Sequence, residues 1–457
     1  MARNHYKLLF SNFFTAYLVT FVPCVRADSD NLVQTVNNYF KRHSREATWT
    51  AKDYNVQSHE NRPVYSYGLV FTPENKLKSF PRRLTTHDSK APIPDSFDAR
   101  TQWPNCATFQ NIRAQGVCPS CWAVSAAAVL SDRLCIALGD SDPSYRNISI
   151  SAQDALVCSG NVGYRVCSQG GQLETPYEMF ASQGLVTGGE YRSGLGCMPY
   201  QAYTQQDTQT VTTSSCTKSC SNRVYAKTYR DDKRLGSKWY GMGIKFERYN
   251  GAAAIDKVIE EAQRELMTNG PVTIGIDAYA DLESYSSGVY RHVTGDYKGG
   301  HAMKLIGWGT ERGTDYWLIA NSWGKQWGMD GVMKFLRGSN HCGVENYFIT
   351  ALPQNIAPPP TPTTPATTTT LGITDTSSAA TNEMTTTTKR PVPTSTPRIP
   401  QTPPAQPPNF NPNRHPPCYR PLVAPVFNTR GTRIVACRHP WWRHCFMFIF
   451  GPYACSL

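Results

Sequence analysis

Three short, widely separated stretches of the chain contain the residue types that acyl transfer through a thioester requires. The first contains a thiol nucleophile, Cys121, and the second contains His301, whose imidazole can take up and return the proton. In the third, the Asn321 amide can orient the imidazole and Trp323 can shield that bond from water. Gln115, six residues before Cys121, can bind the oxyanion together with the Cys121 backbone N–H, a contribution of about 3–4 kcal/mol. These residues predict acyl transfer by a cysteine.

A helix is predicted to position the nucleophile. In residues 120–138 the apolar side chains recur on one helical face, at Trp122, Ala126, Val129, Leu130 and Leu134. Cys121 opens this helix, where free N–H groups and the positive end of the helix dipole favour a thiolate. Pairing with protonated His301 can lower the pKa of a cysteine from about 8.5 to about 3–4. We therefore expect an ionised sulfur at mildly acidic pH.

Strands are predicted to position the base. Residues 271–276, 302–308 and 316–320 have the composition of β segments. His301, preceded by Gly299 and Gly300, enters the second of them with its ring unobstructed. Because the first half of this region is helical and the second half is rich in strands, we expect an α+β fold rather than alternating βαβ units.

The same cysteines could instead form a redox pair or a zinc site. Cys118 and Cys121 form a C-x-x-C pair, but a thioredoxin-like redox motif has its tryptophan before the first cysteine and a parallel βαβ unit around it. A zinc site could be formed by Cys118, Cys121, Cys216 and Cys220. In an oxidising compartment the spare cysteines are better interpreted as disulfide-bonded. A nucleophilic Cys121 is favoured over both, and no metal or organic cofactor is expected.

The N-terminus predicts entry into the secretory pathway. An apolar run over residues 8–25 follows two basic residues, and small residues favour signal-peptide cleavage after Ala27; a retained membrane helix is the alternative. No later segment has the length and composition of a bilayer span. Composition then predicts five regions: a signal peptide (1–27), a polar segment (28–92), a central unit with all of the chemistry (93–354), a disordered Pro/Thr-rich, mucin-like linker (355–417) and a basic Cys-rich module (418–457).

The positive charge is concentrated near the C-terminus. Residues 355–457 contain nine Lys or Arg and two acidic residues, which accounts for seven of the twelve net charges. A basic tail on a secreted protein predicts contact with anionic glycans or matrix, and a solvated tail without a partner is the alternative. No nucleic-acid motif is present. The last region is so short that its four cysteines would have to form two disulfides, among Cys418, Cys437, Cys445 and Cys455.

The motifs resemble those of the papain family of cysteine peptidases, at residues 115–122, 300–302, 307–309 and 321–324. Within that family the 180-residue interval from Cys121 to His301 resembles the cathepsin B-like branch, as do residues 93–100, 131–133 and 336–343. The resemblance covers residues 28–353. It implies a papain-like two-domain fold, with a helical half, a β-barrel-like half and the active-site cleft between them. It also implies a zymogen whose prosegment, near Trp49, occupies the cleft until it is removed around residue 92.

The resemblance further implies disulfides and subsites. The four implied pairs are Cys106–Cys135, Cys118–Cys167, Cys158–Cys216 and Cys197–Cys220. Cys121 stays reduced, and Cys342 is expected to be an unpaired buried thiol. Gly170 and Gly171 would present backbone to an extended substrate, and Tyr347 aligns with the acid at the floor of the cathepsin B specificity pocket. Independently of the family, Asn147 begins an N-glycosylation motif, Asn-Ile-Ser.

The chain departs from the cathepsin B pattern at several positions. Residues 198–215 replace an insertion whose paired histidines grip the substrate carboxylate, but they contain no histidine, so endopeptidase cleavage should outweigh dipeptide removal. With Tyr347 in place of the acid, an apolar side chain is expected at the second substrate residue before the scissile bond; Glu345 matches a different family position. Pro119 replaces a glycine, which predicts a narrower cleft wall or a distorted nucleophile site. Compared with the usual family spacing, one extra residue separates Cys167 from the two glycines. This predicts a shift in the register with which a substrate binds the glycines.

Together these features predict a secreted or lysosomal cathepsin B-like cysteine peptidase. We expect a monomeric zymogen, whose partners are protein or peptide substrates and its own prosegment. The alternative is a non-catalytic secreted scaffold that uses the same cleft and the tail for binding or adhesion.

Overall fold

The computed structural model describes residues 29–44, 47–54, 64–77, 79–82, 91–159, 166–213, 216–246 and 252–354, and two short strands near the C-terminus. Contacts divide the chain into two units, residues 1–418 and 419–457. The predicted signal peptide, the Pro/Thr-rich linker and the four cysteines of the tail lie outside the described residues.

The described residues between 29 and 82 form what we call the N-terminal segment. It contains helix α1 (Ser29–Arg42), strand β1 (Trp49–Ala51) and helix α2 (Glu74–Leu77). Trp49 is 3% exposed, and its indole N–H donates to the Arg291 carbonyl oxygen at 2.9 Å. The hydroxyl of Tyr54 donates to the carbonyl oxygen of Tyr285 at 2.9 Å. The segment is therefore packed against the remainder of the unit by buried aromatic residues.

Helices dominate the first half of the central region. They are α3 (Ala99–Gln102), α4 (Cys121–Leu138), α5 (Ala152–Cys158), α6 (Val166–Gln169), α7 (Thr175–Ser182), α8 (Gln205–Thr213) and, farther along, α9 (Ala252–Asn269). Helix α4 matches the prediction for residues 120–138, and its first fifteen residues are all buried. Among the described residues it is the one helix whose length and hydropathy would suit a membrane span, and 83% of that stretch is buried. Its burial is that of a core helix.

Strands dominate the second half, so the α+β expectation is confirmed. They are β2 (Phe97–Asp98), β3 (Gly236–Met242), β4 (Val272–Tyr279), β5 (Tyr285–Tyr290), β6 (Tyr297–Glu311), β7 (Thr314–Ala320), β8 (Val332–Leu336) and β9 (Phe348–Pro353). Strands β1 to β9 form one sheet in the order β1-β5-β8-β7-β6-β4-β9-β3, with β2 paired to β6. The long strand β6 lies between β4 and β7 and presents His301 opposite Ile276.

Four disulfides stabilise the helical half, and they are the four pairs that the family resemblance implies: Cys106–Cys135, Cys118–Cys167, Cys158–Cys216 and Cys197–Cys220. Cys121 is a free, buried cysteine. Because Cys118 is bonded to Cys167, it forms no redox pair with Cys121, and a zinc site that uses both is excluded by the same bond. The expectation that Cys342 is an unpaired thiol is wrong, since Cys342 is disulfide-bonded.

The second unit contributes strands β10 (Val426–Phe427) and β11 (Arg433–Ile434) to the described structure. They pair antiparallel, with Val426 opposite Ile434 and Phe427 opposite Arg433.

Candidate active site

Cys121, the predicted nucleophile, is the first residue of helix α4, as the sequence predicts. Ser120 has a non-helical backbone, and its carbonyl oxygen accepts the first helical hydrogen bond from Val124 at 3.0 Å. The Cys121 side chain is fully buried. Its sulfur is hydrogen-bonded by backbone N–H groups of Ala302, Gly68 and Trp122. Because Ala302 directly follows His301, strand β6 supplies both this contact to the sulfur and the His301 side chain.

The imidazole of His301 is held in one tautomer. Asn321 Oδ1 accepts hydrogen bonds from the Ser322 backbone N–H at 2.7 Å and from His301 Nε2 at 2.8 Å. A backbone N–H can only donate, so the Asn321 atom that it faces is the oxygen, and His301 Nε2 must carry a proton. His301 Nδ1 has no hydrogen-bond partner among the described residues. It is the nitrogen that can accept a proton from the thiol.

Aromatic rings cover the His301–Asn321 bond. The Trp323 ring stacks on the imidazole with 4.8 Å between centroids, and Tyr67 of the N-terminal segment approaches the imidazole edge-on at 5.7 Å. His301 is 0% and Asn321 4% exposed. Water is thus kept from this bond, as the sequence predicts for Trp323.

Ser322, which the sequence reasoning passed over, links the two amides of the site. Its hydroxyl donates to Gln115 Oε1 at 2.5 Å, and its carbonyl oxygen accepts from the Gln115 backbone N–H at 2.9 Å. Because the amide oxygen of Gln115 accepts this hydrogen bond, Nε2 faces the cleft. Gln115 Nε2 donates to the carbonyl oxygens of Ser66 and Cys118 at 3.2 and 3.1 Å. The signal was present in the sequence, since Ser322 lies inside the Asn-Ser-Trp-Gly motif.

The N-terminal segment runs through the cleft across these groups. The Gly171 N–H donates to the Gly68 carbonyl oxygen at 2.8 Å, and the Gly171 carbonyl oxygen accepts from Val70 at 2.9 Å. On the other side, the Leu69 N–H donates to the Gly300 carbonyl oxygen at 3.0 Å. Leu69 forms a parallel β-bridge with Gly171 and an antiparallel β-bridge with Gly300. Of the two predicted glycines, Gly171 therefore offers the hydrogen-bonding edge.

Three glycines and a proline make this crossing possible. A Cβ on Gly68 would lie 1.8 Å from the Pro119 carbonyl oxygen, and one on Gly170 would lie 2.0 Å from the Gly68 carbonyl oxygen. Gly170 has φ +70°, which favours glycine. A Cβ on Gly171 would lie 2.4 Å from the Trp122 ring. Pro119 thus forms a close wall of the cleft, and Cys121 still begins a regular helix.

An apolar pocket surrounds the side chain of Leu69, the residue that pairs with Gly171. A Cβ on Gly275 would lie 2.7 Å from Leu69, 3.2 Å from Leu173 and 3.4 Å from Phe71. The ring of Phe71 is 5.2 Å from that of Tyr347, which is 9% exposed. We call Leu173, Gly275 and Tyr347 the apolar pocket. The side chains of Leu69 and Phe71 occupy it in this structure.

Glu345 lies in the core of the sheet half. It is 0% exposed, and its Oε1 accepts from the Trp317 indole at 3.0 Å and from the Gly338 backbone at 2.9 Å. Burial raises the pKa of Glu345 to about 7, because the charged form loses its solvent.

Burial also sets the protonation of the two reactive groups. It raises the pKa of Cys121 to about 11, against the backbone hydrogen bonds from Ala302 and Gly68 that favour the thiolate. It lowers the pKa of His301 to about 4, opposed by the hydrogen bond to Asn321. Burial therefore opposes the thiolate that the sequence predicts. The physical reason is the N-terminal segment, which covers the sulfur and removes the water that would solvate an ion pair.

The segment that replaces the histidine-bearing insertion folds around α8. A surface cavity of about 490 Å³ is lined by Tyr191, Arg192, Tyr200, Asp207 and neighbouring residues. The Arg192 guanidinium lies 4.9 Å from the centre of the Tyr191 ring and interacts with the Asp207 carboxylate. Tyr200 donates to the Gln115 carbonyl oxygen at 2.7 Å, so this cavity borders the Gln115 side of the cleft.

One further predicted site, the glycosylation motif, can be located. Asn147 ends a 3₁₀ turn (Pro143–Asn147) on the surface and is exposed, as an acceptor for a glycan must be. Within the described ranges, no group of three or more His, Cys, Asp or Glu residues is arranged to hold a metal ion.

Comparison with known proteins gives one matching family model and several similar proteins. Residues 93–352 match a family model described as "Papain family cysteine protease". The chain is 35% identical to "Cathepsin B-like cysteine proteinase 4" of Caenorhabditis elegans, over 74% of this chain and 96% of that protein. It is 41% identical to "Cathepsin B-like cysteine proteinase 3" of the same organism, over 57% of this chain and 66% of that protein.

A solved structure with a similar fold is "proCathepsin B S9 from Trypanosoma congolense". It superposes with a TM-score of 0.55 at 30% identity, covering 70% of this chain and 98% of that one. The fold is also similar to that of digestive procathepsin L2 from Tenebrio molitor, with a TM-score of 0.51 at 23% identity. Both similar structures are proenzymes by their titles.

Proposed function

Because this chain belongs to the papain family of cysteine proteases and is cathepsin B-like, we propose that it is a zymogen-activated endopeptidase that acts through a thioester on Cys121. The main support is geometric. A free cysteine at a helix start, an imidazole held by an asparagine and a glutamine amide surround one point of a cleft. An extended segment of the same chain already lies across that point.

The proposed reaction begins with proton transfer from the Cys121 thiol to His301 Nδ1. The sulfur adds to the substrate carbonyl carbon, and the oxyanion that forms accepts hydrogen bonds from Gln115 Nε2 and the Cys121 backbone N–H. His301 then donates its proton to the leaving amine, which departs and leaves a thioester. Water, deprotonated by His301, adds to the thioester, and the released sulfur regains the starting state.

The N-terminal segment would act as the inhibitor in the proposed zymogen. The Ser66 carbonyl oxygen takes the Gln115 amide donor that the oxyanion needs. The segment runs parallel to the chain at Gly171, through a β-bridge at Leu69. A substrate bound in the opposite, antiparallel direction would present its carbonyl groups to the sulfur in a different orientation. Residues 28–92 are proposed as the prosegment and residues 93–354 as the peptidase domain.

Covalent labelling tests this proposal directly. An epoxide probe for thiols should label Cys121 after acid activation, and the labelled protein should lose cleavage of a fluorogenic peptide. Cys121→Ala should show neither labelling at this site nor cleavage. An activated wild-type chain that is labelled but cleaves no peptide would instead favour the scaffold alternative.

We propose that internal cleavage outweighs dipeptide removal. Residues 198–215 contain no histidine to bind a substrate carboxylate, and the nearby Arg192 already faces Asp207. Peptides with a blocked N-terminus and a free C-terminus measure this, because efficient stepwise release of dipeptides would contradict the proposal.

An apolar side chain is proposed at the second substrate residue before the scissile bond. The support is the apolar pocket, which lacks an acid at Tyr347 and holds Leu69 and Phe71 in this structure. A positional peptide library should select leucine or phenylalanine there. Strong selection of arginine at that position would refute the assignment.

The remaining proposals concern location. A signal peptide ending at Ala27 would direct the chain to the extracellular space or the lysosome, and Asn147 would carry a glycan. The basic tail is proposed to contact anionic glycans or matrix. Gel mobility before and after glycosidase treatment tests whether the glycan is present. Gel mobility before and after acid activation tests whether the tail is retained.

A further inference from the structure

An acidic side chain lies in the cleft beside the apolar pocket. Glu174 directly follows Leu173, which lines that pocket, and directly precedes α7. It is 1% exposed, and burial raises its pKa because the charged form is removed from water. A buried carboxylate needs hydrogen bonds or a cation to offset its lost hydration.

Besides a hydrogen bond from its own backbone N–H, the Glu174 carboxylate is satisfied by two side chains of the N-terminal segment. The Thr72 hydroxyl lies 2.8 Å from each carboxylate oxygen, and Lys76 Nζ lies 3.5 Å from Oε1. The Lys76 side chain is 44% exposed, so this ion pair is formed at the mouth of the cleft. Loss of the segment would remove both partners and leave the Glu174 carboxylate facing an open cleft.

The order of contacts along the segment indicates which substrate residue would meet Glu174. Gly68 hydrogen-bonds the nucleophilic sulfur, Leu69 and Phe71 follow in the apolar pocket, and Thr72 comes next at Glu174. The segment therefore leads from the sulfur, past the apolar pocket, to Glu174. A substrate with its second residue before the scissile bond in the pocket would bring its third residue to Glu174.

We propose that Glu174 forms a cation-binding subsite that selects lysine or arginine at the third substrate residue before the scissile bond. This inference rests on the proposed peptidase function. In the zymogen, Lys76 provides the cation that a substrate side chain provides later. The acid that cathepsin B has at the pocket floor is replaced here by Tyr347, and Glu174 places a negative charge on the helical wall instead, one substrate residue farther from the scissile bond.

Two fluorogenic peptides test the subsite. Both have leucine at the second residue before the scissile bond, and the third is either lysine or norleucine, its uncharged isostere. With the acid-activated full chain at about pH 6, kcat/KM should be about ten-fold higher for the lysine peptide, which corresponds to about 1.4 kcal/mol. Glu174→Gln should lower that ratio to about one.

Glu178→Gln is the matched control. Glu178 lies one helical turn away on α7 and is only partly buried, and the two carboxylates repel each other. Its neutralisation changes the net charge by the same amount but should leave the lysine-to-norleucine ratio near the wild-type value. The norleucine peptide also reports whether each variant is folded and active.

The outcomes separate the two proposals. Equal kcat/KM values for the two peptides with the wild-type enzyme would overturn the subsite and leave the peptidase function intact, and so would a lysine preference that Glu174→Gln does not change. Failure of the activated wild-type chain to cleave either peptide would overturn the peptidase function, and the subsite with it.

Discussion

Cys121 and His301 are both fully buried, and burial acts on them in opposite directions. The pKa of the thiol rises to about 11 and that of the imidazole falls to about 4, so burial favours the neutral form of each group. Neutral groups cannot attract each other as an ion pair does, and the nucleophile is correspondingly weak. We expect the thiolate to form once water reaches the sulfur after the segment leaves.

At the residue scale, Gln115 offers a direct test of oxyanion binding. Gln115→Ala should lower kcat by about 10²–10³-fold with little change in KM, because its amide bonds the charge that develops in the transition state. Steady-state kinetics on the activated enzyme measure this.

Ser322→Ala is the companion variant for that experiment. It removes the hydrogen bond that holds Gln115 Oε1 but leaves Nε2 in place, so its effect on kcat should be smaller. Both variants should still react with an epoxide thiol probe, which shows that Cys121 is intact. A wild-type kcat in Gln115→Ala would contradict the assignment.

At the scale of elements, α4 and β6 position the reactive groups, and the N-terminal segment covers them. The helix presents Cys121 at its first turn, and β6 presents His301 between its hydrogen-bonded neighbours β4 and β7. The segment adds main-chain hydrogen bonds on both sides, at Gly171 and Gly300. Its fit depends on a residue without a side chain at the crossing point, Gly68.

Gly68→Ala should weaken this cover. The new Cβ would lie 1.8 Å from the Pro119 carbonyl oxygen, so the backbone of the segment or of the cleft wall must move. We expect an epoxide probe to label Cys121 in the uncleaved variant about ten-fold faster than in the uncleaved wild type, a change of about 1.4 kcal/mol.

Val70→Ala is the control for that substitution. Val70 is 44% exposed and should tolerate truncation without faster labelling. If Gly68→Ala is labelled no faster than this control, the close contact at Pro119 does not limit access to the sulfur.

At the scale of the whole molecule, buried charges join the helical half to the sheet half. The Arg133 guanidinium on α4 pairs with Glu265 on α9 at 2.7 Å, and Lys304 on β6 pairs with Asp132 on α4 at 2.6 Å. Glu345 differs from these carboxylates, because its described hydrogen bonds come from Trp317, Gly338 and other uncharged donors. Its raised pKa makes the stability of the folded chain depend on pH.

Glu345 should make the protein more stable in acid. Its pKa is about 7 when folded and 4.5 as an ordinary glutamate, so between these values the folded chain holds a proton that the unfolded chain has lost. The contribution of this group to the free energy of unfolding therefore falls as pH rises from about 4.5 to 7, by on the order of a few kcal/mol.

Glu345→Gln should remove that dependence, because the glutamine oxygen can still accept from Trp317 and Gly338. Urea unfolding of Cys121→Ala, with and without Glu345→Gln, measures the difference without self-cleavage. The two proteins should differ increasingly from pH 4.5 to 7 and by a constant amount above it. A difference that does not change with pH would show that Glu345 is ionised when folded.

The helix that begins at Cys121 was predicted from the sequence pattern, and the four disulfides of the helical half were predicted from the family resemblance. These predictions were possible because the chemistry requires particular residue types at short spacings, and the family pattern preserves those spacings. The His301 tautomer, the link through Ser322, the covered thiol and the role of Glu174 depend on contacts between residues far apart in the chain. Burial and hydrogen bonding arise only when distant segments meet, so a sequence pattern does not contain them. Tyr347 and Glu174 illustrate the difference: the tyrosine at residue 347 is read from the sequence, whereas the contacts of the Glu174 carboxylate with Thr72 and Lys76 are seen only in the folded chain.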